Sequence, residues 1–589
     1  MRGVVPRFRH CGSFLLIALL TANAQERDPS SDFRQILDAD WEYGLQQHPE
    51  RASARGDRRF NDRWTDLSAA AIEARHRHDV EVLNQLRAVD RNRLAPADQV
   101  NFDLFRKHVQ ERVDEDRYHL YLIPIDQRGG IQTLDDFATR IRFETLKDYE
   151  DWIARLRKLP EQMDQTIALM RAGMRERMLL PKIVLNRIPA QIDKQIVQKP
   201  EDSLFYKPFL KIPRSISKAD QDRLREQAAA AIGNAVVPSY QKLQTFFKGE
   251  YLPASFDQVG IWQVPNGGAL YEFEARKFTT TGMTPKQIHE TGLSEVKRIR
   301  AQMEAVKAKA GFNGSLKEFF DYLRTDPKFY YKNPDELLQA YRALAKQIDP
   351  LLVKLFKTLP RTPYGVEPIP AAVAPDTTTA YYVQPSADGR RPGTYFVNLY
   401  RPEVRPKWEM TALTLHESVP GHHLQIALAQ EQGELPNFRR YTFFTAFVEG
   451  WGLYAESLGE DIGVYDADPY AKFGQLTYEM WRAVRLVVDT GIHYFRWDRQ
   501  KAIDFFLENA PKTELDVTNE VDRYIAWPGQ ALAYKIGELK FKELRARAQQ
   551  KLDSRFDLRA FHDVVLSAGA LPLDVLDVRV DAWIASSGR

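Results

Sequence analysis

Apolar residues recur along most of this chain at the three- and four-residue spacing of amphipathic helices, with charged residues between them. Trp152, Leu156, Leu159 and Met163 form one such stripe. The same pattern predicts helices within 66–120, 143–178, 217–248, 285–310, 333–358, 472–507 and 528–550. Strand-like runs are few. The clearest is Thr394-Tyr395-Phe396-Val397-Asn398-Leu399, after the turn-forming Arg391-Pro392-Gly393. Proline and small residues cluster near 199–213 and 359–375 and read as connections. The pattern therefore predicts a mainly α protein, with a helical lobe over 25–270, a second lobe over 271–589 and a small β element.

Composition removes several classes. A chain of 589 residues with 44% hydrophobic and 28% charged residues is globular. Its 83 basic and 80 acidic residues leave a net charge of +3, without the broad basic field that nucleic acid requires. A single Cys excludes a disulfide framework and any Cys-built metal site. The start of the chain reads as a secretory signal peptide over residues 1–24. Arg2, Arg7 and Arg9 precede the apolar run Phe14 to Leu20, and Ala22-Asn23-Ala24 fits the small-x-small cleavage rule. Cys11 stands before the apolar run, which argues against a lipid-modified Cys. Removing those three Arg leaves 83 − 3 = 80 bases against 80 acids. The expectation is an exported protein, periplasmic or secreted, without stable membrane insertion.

The chemistry concentrates in 408–460. Most of the 12 His are scattered singly, whereas His416-Glu417-Ser418-Val419-Pro420-Gly421-His422-His423 follows an apolar helical approach. Zinc hydrolases use H-E-x-x-H on one helix, where two imidazoles one turn apart reach one ion and the Glu serves as base. Here Pro420 stands at the second His position. In an unbroken helix His422 points elsewhere and His423 lies two turns away, roughly 10 Å. Pro removes a helical donor and Gly admits unusual backbone angles, so a two-residue bulge at Pro420-Gly421 returns His422 to the ligand position. That register favours His422 over His423 as second ligand, leaving His423 to support the site or contact substrate. After the turn Gln432–Pro436, the stretch Phe443–Glu456 predicts a second helix. If it runs antiparallel, Glu449 stands level with the His pair and becomes the third ligand, whereas Glu456 falls beyond the site. Gly450 and Gly452 are small enough to permit close backbone approach to a neighbour.

These segments, with Gly393–Asn398, Trp481-Arg482-Ala483-Val484-Arg485 and Pro528-Gly529-Gln530-Ala531, resemble the bacterial family catalogued as domain of unknown function 885. The resemblance implies a large multi-helix, zincin-like metallopeptidase fold: two helical lobes around a cleft, with a small β element next to the active helix. It also implies one Zn2+ held by His416, His422 and Glu449, with Glu417 as general base and a peptide as substrate. Helical zinc peptidases commonly set a Tyr hydroxyl against the reacting carbonyl, which nominates Tyr524 and Tyr534 beside Trp527–Gln530.

Two further groups complete the expected site. Asp489 and His493 share a helical face, so that Asp489 orients His493 toward an oxyanion or substrate. The Thr394–Asn398 strand, with Tyr395 and Asn398, is positioned to pair with an extended peptide. The competing readings are a zinc amidohydrolase acting on acyl amino acids and a non-catalytic periplasmic binding or scaffold protein. No phosphate-binding G-x-x-x-x-G-K-[ST] loop and no G-x-S-x-G elbow occurs, which argues against nucleotide dependence and a serine hydrolase.

Overall fold

Helices dominate because the apolar stripes that predict them find buried partners. The computed structural model describes residues 3, 28–371, 374, 378–386, 391–432 and 435–587. The predicted signal peptide thus lies outside the described residues, Gly3 apart. Helix accounts for 71% of the structure, and its one sheet among the described residues has three strands. The helices include α1 Pro29–Gln47, α2 Ala69–Ala88, α3 Pro96–Asp116, α4 Leu146–Arg157, α5 Leu159–Glu176 and α6 Lys218–Ala231 in the first half. The second half contributes α7 Pro285–Lys309, α8 Met410–Glu417, α9 His422–Gln430, α10 Thr445–Ile462, α11 Pro469–His493, α12 Glu514–Ala526 and α13 Ala533–Leu552.

Local signals set many ends. Thr145 and Asp148 form a reciprocal capping box at the start of α4, and Thr284 with Gln287 does the same for α7. Trp152, Leu156, Leu159 and Met163 are all at most 1% exposed, so the predicted stripe is a core face. The most deeply set helix is α11. Nearly every residue from Phe473 to His493 is buried, with α7 packed along its length. A helix enclosed this completely holds charges only where they are paired, and Lys535 of α13 meets Glu479 of α11 at 2.8 Å.

Two large cores hold the chain together. One joins residues of α4–α6 to α11 and α12. The other joins Phe33 of α1 and Phe105 of α3 to Leu415, Trp451 and Phe541 near the His416–His423 segment. Each takes residues from both sides of position 270, so that boundary divides the sequence without dividing the cores.

The sheet has the order β1-β3-β2, with β1 Tyr364–Pro368, β2 Ala380–Val383 and β3 Gly393–Val397. β3 pairs with β1 in parallel and with β2 antiparallel. The expectation that this strand pairs with an extended peptide is therefore corrected. β3 is central, and both its edges are already bonded. The sheet packs on α8 through Tyr395 and Val397 against Ala412 and Leu413.

Candidate metal centre

The first helix of the motif stops at Glu417, and the next begins at His422. Between them Ser418 and Gly421 leave helical geometry, and Gly421 passes so close to the preceding turn that a β-carbon would lie 1.9 Å from the His416 carbonyl oxygen. Only glycine fits there. The break swings His422 back beside His416, with ring centroids 4.6 Å apart and planes at 84°.

α10 supplies the carboxylate. It crosses α8 closely because Gly452 offers no side chain. A β-carbon there would stand 2.7 Å from His416 Cε1. One turn earlier, Glu449 Oε2 lies 3.6 Å from His416 Nε2 and 3.7 Å from His422 Nε2. The three ligand atoms fall within 4.8 Å of one another. These separations are too long for hydrogen bonds. They approach the edge of a tetrahedron built on zinc bonds of 2.0–2.1 Å, about 3.3–3.4 Å. The donor set is thus the size and chemistry that Zn2+ takes, with a fourth position left to a small ligand.

Electrostatics also favour a cation at this point. Burial works against a charged His416, but Glu449 and Glu456 outweigh it and raise its pKa to about 10. Burial and the nearby His416 push His422 down to about 4. Glu449 is pushed up by burial, yet His416 and His422 hold it at about 2. Glu417, beside His416 but outside the ligand group, is raised to about 7 by burial, with His416 opposing and Glu449 adding to the rise. Glu417 and Glu449 keep partial exposure while His416 is 3% exposed, so both acids reach solvent from a buried base.

His416 is held from behind. Its Nδ1 meets Glu456 Oε1 at 2.8 Å, and Arg482 of α11 lies 3.8 Å from the same oxygen. A carboxylate on the far nitrogen fixes the tautomer that leaves Nε2 free to bind metal. The expectation that Glu456 falls beyond the site is therefore corrected, because its carboxylate reaches the far nitrogen of His416. Glu456 stands two turns from Glu449 on the same face of α10.

The other nominated residues do not join the ligand group. His423 turns away. Its Nδ1 meets Tyr382 Oη at 2.9 Å and its Nε2 the Thr362 carbonyl oxygen at 3.1 Å, so it ties α9 to the sheet. Asn398 is 1% exposed and donates to the carbonyls of Ala374 and Thr378, which spends it on a loop rather than on substrate. Tyr395 is fully buried beneath α8, its hydroxyl near Thr414 and Glu417. His493 Nδ1 accepts from the Ile261 amide at 3.0 Å, and its Nε2 donates to the Tyr524 carbonyl at 2.9 Å. Asp489 does not orient it; Asp489 accepts from Tyr271 Oη at 2.6 Å and the Gly529 amide at 3.1 Å. Tyr524 Oη accepts from Arg485 and Trp481 and donates to Glu520, which exhausts it. Tyr534 accepts from Arg523 at 3.2 Å and lies under the Arg485 guanidinium at 4.4 Å.

A family model described as "Bacterial protein of unknown function (DUF885)" matches residues 49–580. The chain belongs to this family. A solved structure of a candidate lipoprotein from Colwellia psychrerythraea is similar at 29% identity and a TM-score of 0.88, covering 95% of this chain and 99% of that one. A candidate lipoprotein of unknown function from Shewanella oneidensis shares the fold at a TM-score of 0.71 and 17% identity, covering 93% of this chain and 99% of that one. No curated protein matches.

For this family member, two site residues escape a reading based on ligand spacing, Glu456 and Arg482. The signal for Glu456 is its seven-residue offset from Glu449, two turns along an otherwise apolar helix. Arg482 has no local signal, because it comes from α11, a separate helix of the chain.

Proposed function

We propose that this protein is an exported, zincin-like zinc hydrolase that cleaves short peptides. The observation that carries the reading is the convergence of His416 Nε2, His422 Nε2 and Glu449 Oε2, with Glu417 beside them and uncommitted. A purely structural site has no need of a carboxylate next to its first ligand. His416, His422 and Glu449 would hold the ion. Zinc, when bound, supplies Lewis-acid polarisation of the scissile carbonyl and a water acidified toward neutral pH. Glu417 takes a proton at its carboxylate and returns it to the leaving amine. Glu456 keeps His416 in one tautomer, and Arg482 neutralises Glu456 so that the buried acid does not compete for the ion. Export rests on the basic, apolar and small-residue order of the first 24 residues and on similarity to candidate lipoproteins. Mature protein beginning at Gln25 is the expected result of N-terminal sequencing.

The deciding test combines metal analysis with Glu417→Gln. Expected are one zinc per chain in both proteins and a loss of peptide hydrolysis of about 10²–10⁴-fold in the variant. The panel includes short peptides and N-acyl amino acids, so that a preference for the latter identifies an amidohydrolase. A variant with full zinc and an undiminished rate defeats the mechanism.

A further inference from the structure

Against α9 and α10, the helices that carry His422 and Glu449, lies a recess of about 720 Å³ whose walls are one-sided in charge. Eight arginines line it, and among the described residues no Asp or Glu does. They come from separate parts of the chain: Arg51, Arg55 and Arg58 from the first half, Arg140 further on, Arg391 before β3, Arg439 after α9. The chain beyond residue 24 has equal numbers of bases and acids, so convergence of this kind is not a reflection of overall composition.

None of His416, Glu417, His422 or Glu449 lines the recess, but two of its lining residues share their helices. Gln425 lines it from α9, one turn after His422, and Val448 lines it from α10, immediately before Glu449. Gln425 is 3% exposed, and its side-chain oxygen has no hydrogen-bond partner among the described residues. Arg391 belongs to the same neighbourhood, since its charge acts on Tyr382, the residue that meets His423.

The charges are not all consumed by the protein. Arg58 pairs with Glu144 and Arg140 with Asp136, each at 2.5 Å. Arg439 uses the neutral acceptors Asn101 and the Ala568 carbonyl. Arg55 stacks on Trp41 and Tyr441, 4.7 Å from each ring, and makes no ion pair among the described residues. Burial, with Arg51 close by, lowers the Arg55 pKa to about 10; burial, with Arg579, does the same for Arg439. Both remain charged at neutral pH, so each loses hydration without gaining a counter-charge. The volume lies within the roughly 300–1,000 Å³ of sites that take small ligands or a few residues of a chain. It does not admit a nucleic-acid duplex.

We propose that this recess receives the carboxylate side chains of a peptide whose scissile bond lies over His416, His422 and Glu449, which makes the preferred substrates peptides rich in Asp and Glu. The assignment rests on the peptidase reading for its register but not for its chemistry. Arg in a partly desolvated wall is suited to carboxylates, because its planar fork matches two oxygens.

Binding and turnover separate the two claims. Binding is measured by fluorescence anisotropy on the full chain carrying Glu417→Gln, with a labelled short Glu-rich peptide and its Gln and Lys counterparts. The Glu peptide should bind about tenfold or more tightly than the Gln peptide at low salt, and the advantage should shrink as salt rises. Adding Arg55→Gln and Arg391→Gln should bring the ratio close to one. Arg391 is exposed, so Arg391→Gln alone carries the test if the double substitution lowers the melting temperature. Equal affinities, or tightest binding of the Lys peptide, overturn the proposal. Turnover is then measured on the wild-type chain. Selective binding of the Glu peptide with no cleavage of any peptide upholds the acidic-peptide recess and defeats the peptidase reading. Equal cleavage of all three peptides upholds the peptidase and defeats the recess.

Discussion

At the residue scale, the site turns on which atoms of four side chains face inward. His416 meets Glu449 through Nε2 and Glu456 through Nδ1, so each nitrogen has one task. The convergence of His416, His422 and Glu449 is legible in the sequence because side chains meet at one point only at particular spacings: a Pro-Gly break that returns His422 to the His416 face, and a carboxylate level with the pair on the next helix. Glu456 is not, because a residue that acts through a ligand needs only to share a helical face with it, and that is a weaker constraint. Its contribution is measurable. Glu456→Gln keeps the shape and removes the charge that fixes the His416 tautomer, so zinc affinity should fall about 10–100-fold while stoichiometry stays at one. Competition with a chromogenic chelator checks this. His423 makes the opposite point, since a histidine adjacent to a ligand looks like chemistry in sequence yet spends both nitrogens on Tyr382 and Thr362.

At the element scale, periodicity located the helices, and Pro420-Gly421 located the break. It did not reveal the order of strands. A run such as Thr394–Asn398 has the same alternation at the edge of a sheet or at its centre, and only the partners Tyr364–Pro368 and Ala380–Val383 decide the matter. Gly450 and Gly452 predict close approach to a neighbour, because an apolar helix with small residues tolerates one, and the structure gives them different neighbours: Gly450 faces Gly537 of α13, and Gly452 faces α8. Gly452 bears on the His416 ring itself, with the missing β-carbon 2.7 Å from Cε1. Gly452→Ala must therefore displace the imidazole or the helix. The expected outcome is a destabilisation of about 1–3 kcal/mol in denaturant unfolding, the range for overpacked cores. Weaker zinc binding should accompany it, and a melting temperature that responds less to added zinc should show it.

At the scale of the whole molecule, what the sequence concealed was which distant segments meet. Helical periodicity reports that a face is buried but not against what, so it places a boundary near 270 although both cores span that position. Asp489 and His493 illustrate the cost of reading a helix in isolation. Their shared face suggested a catalytic pair, yet they fasten α11 to two other parts of the chain, Ile261–Tyr271 and Tyr524–Gly529.

That joint gives the fold a pH dependence of known sign. Burial raises the Asp489 pKa from 3.8 to about 7, against the hydrogen bonds from Tyr271 and Gly529. The native state therefore holds a proton that the unfolded chain has released, and stability contributed by this group declines as pH climbs from about 4 to about 7. The penalty is at most about 4 kcal/mol. Burial lowers His493 from 6.5 to about 4, so its contribution runs the other way, with stability lost as pH drops through the same interval. In the wild-type chain the two slopes oppose each other. Asp489→Asn resembles the protonated acid and still accepts from Tyr271 and Gly529, so it removes one slope and leaves the other. The variant's melting temperature relative to wild type should be near parity at pH 4, rise to about pH 7 and level off by pH 8. A constant offset across that range would mean that Asp489 is ionised in the native protein throughout, and that the joint is held by charge rather than by a buried proton.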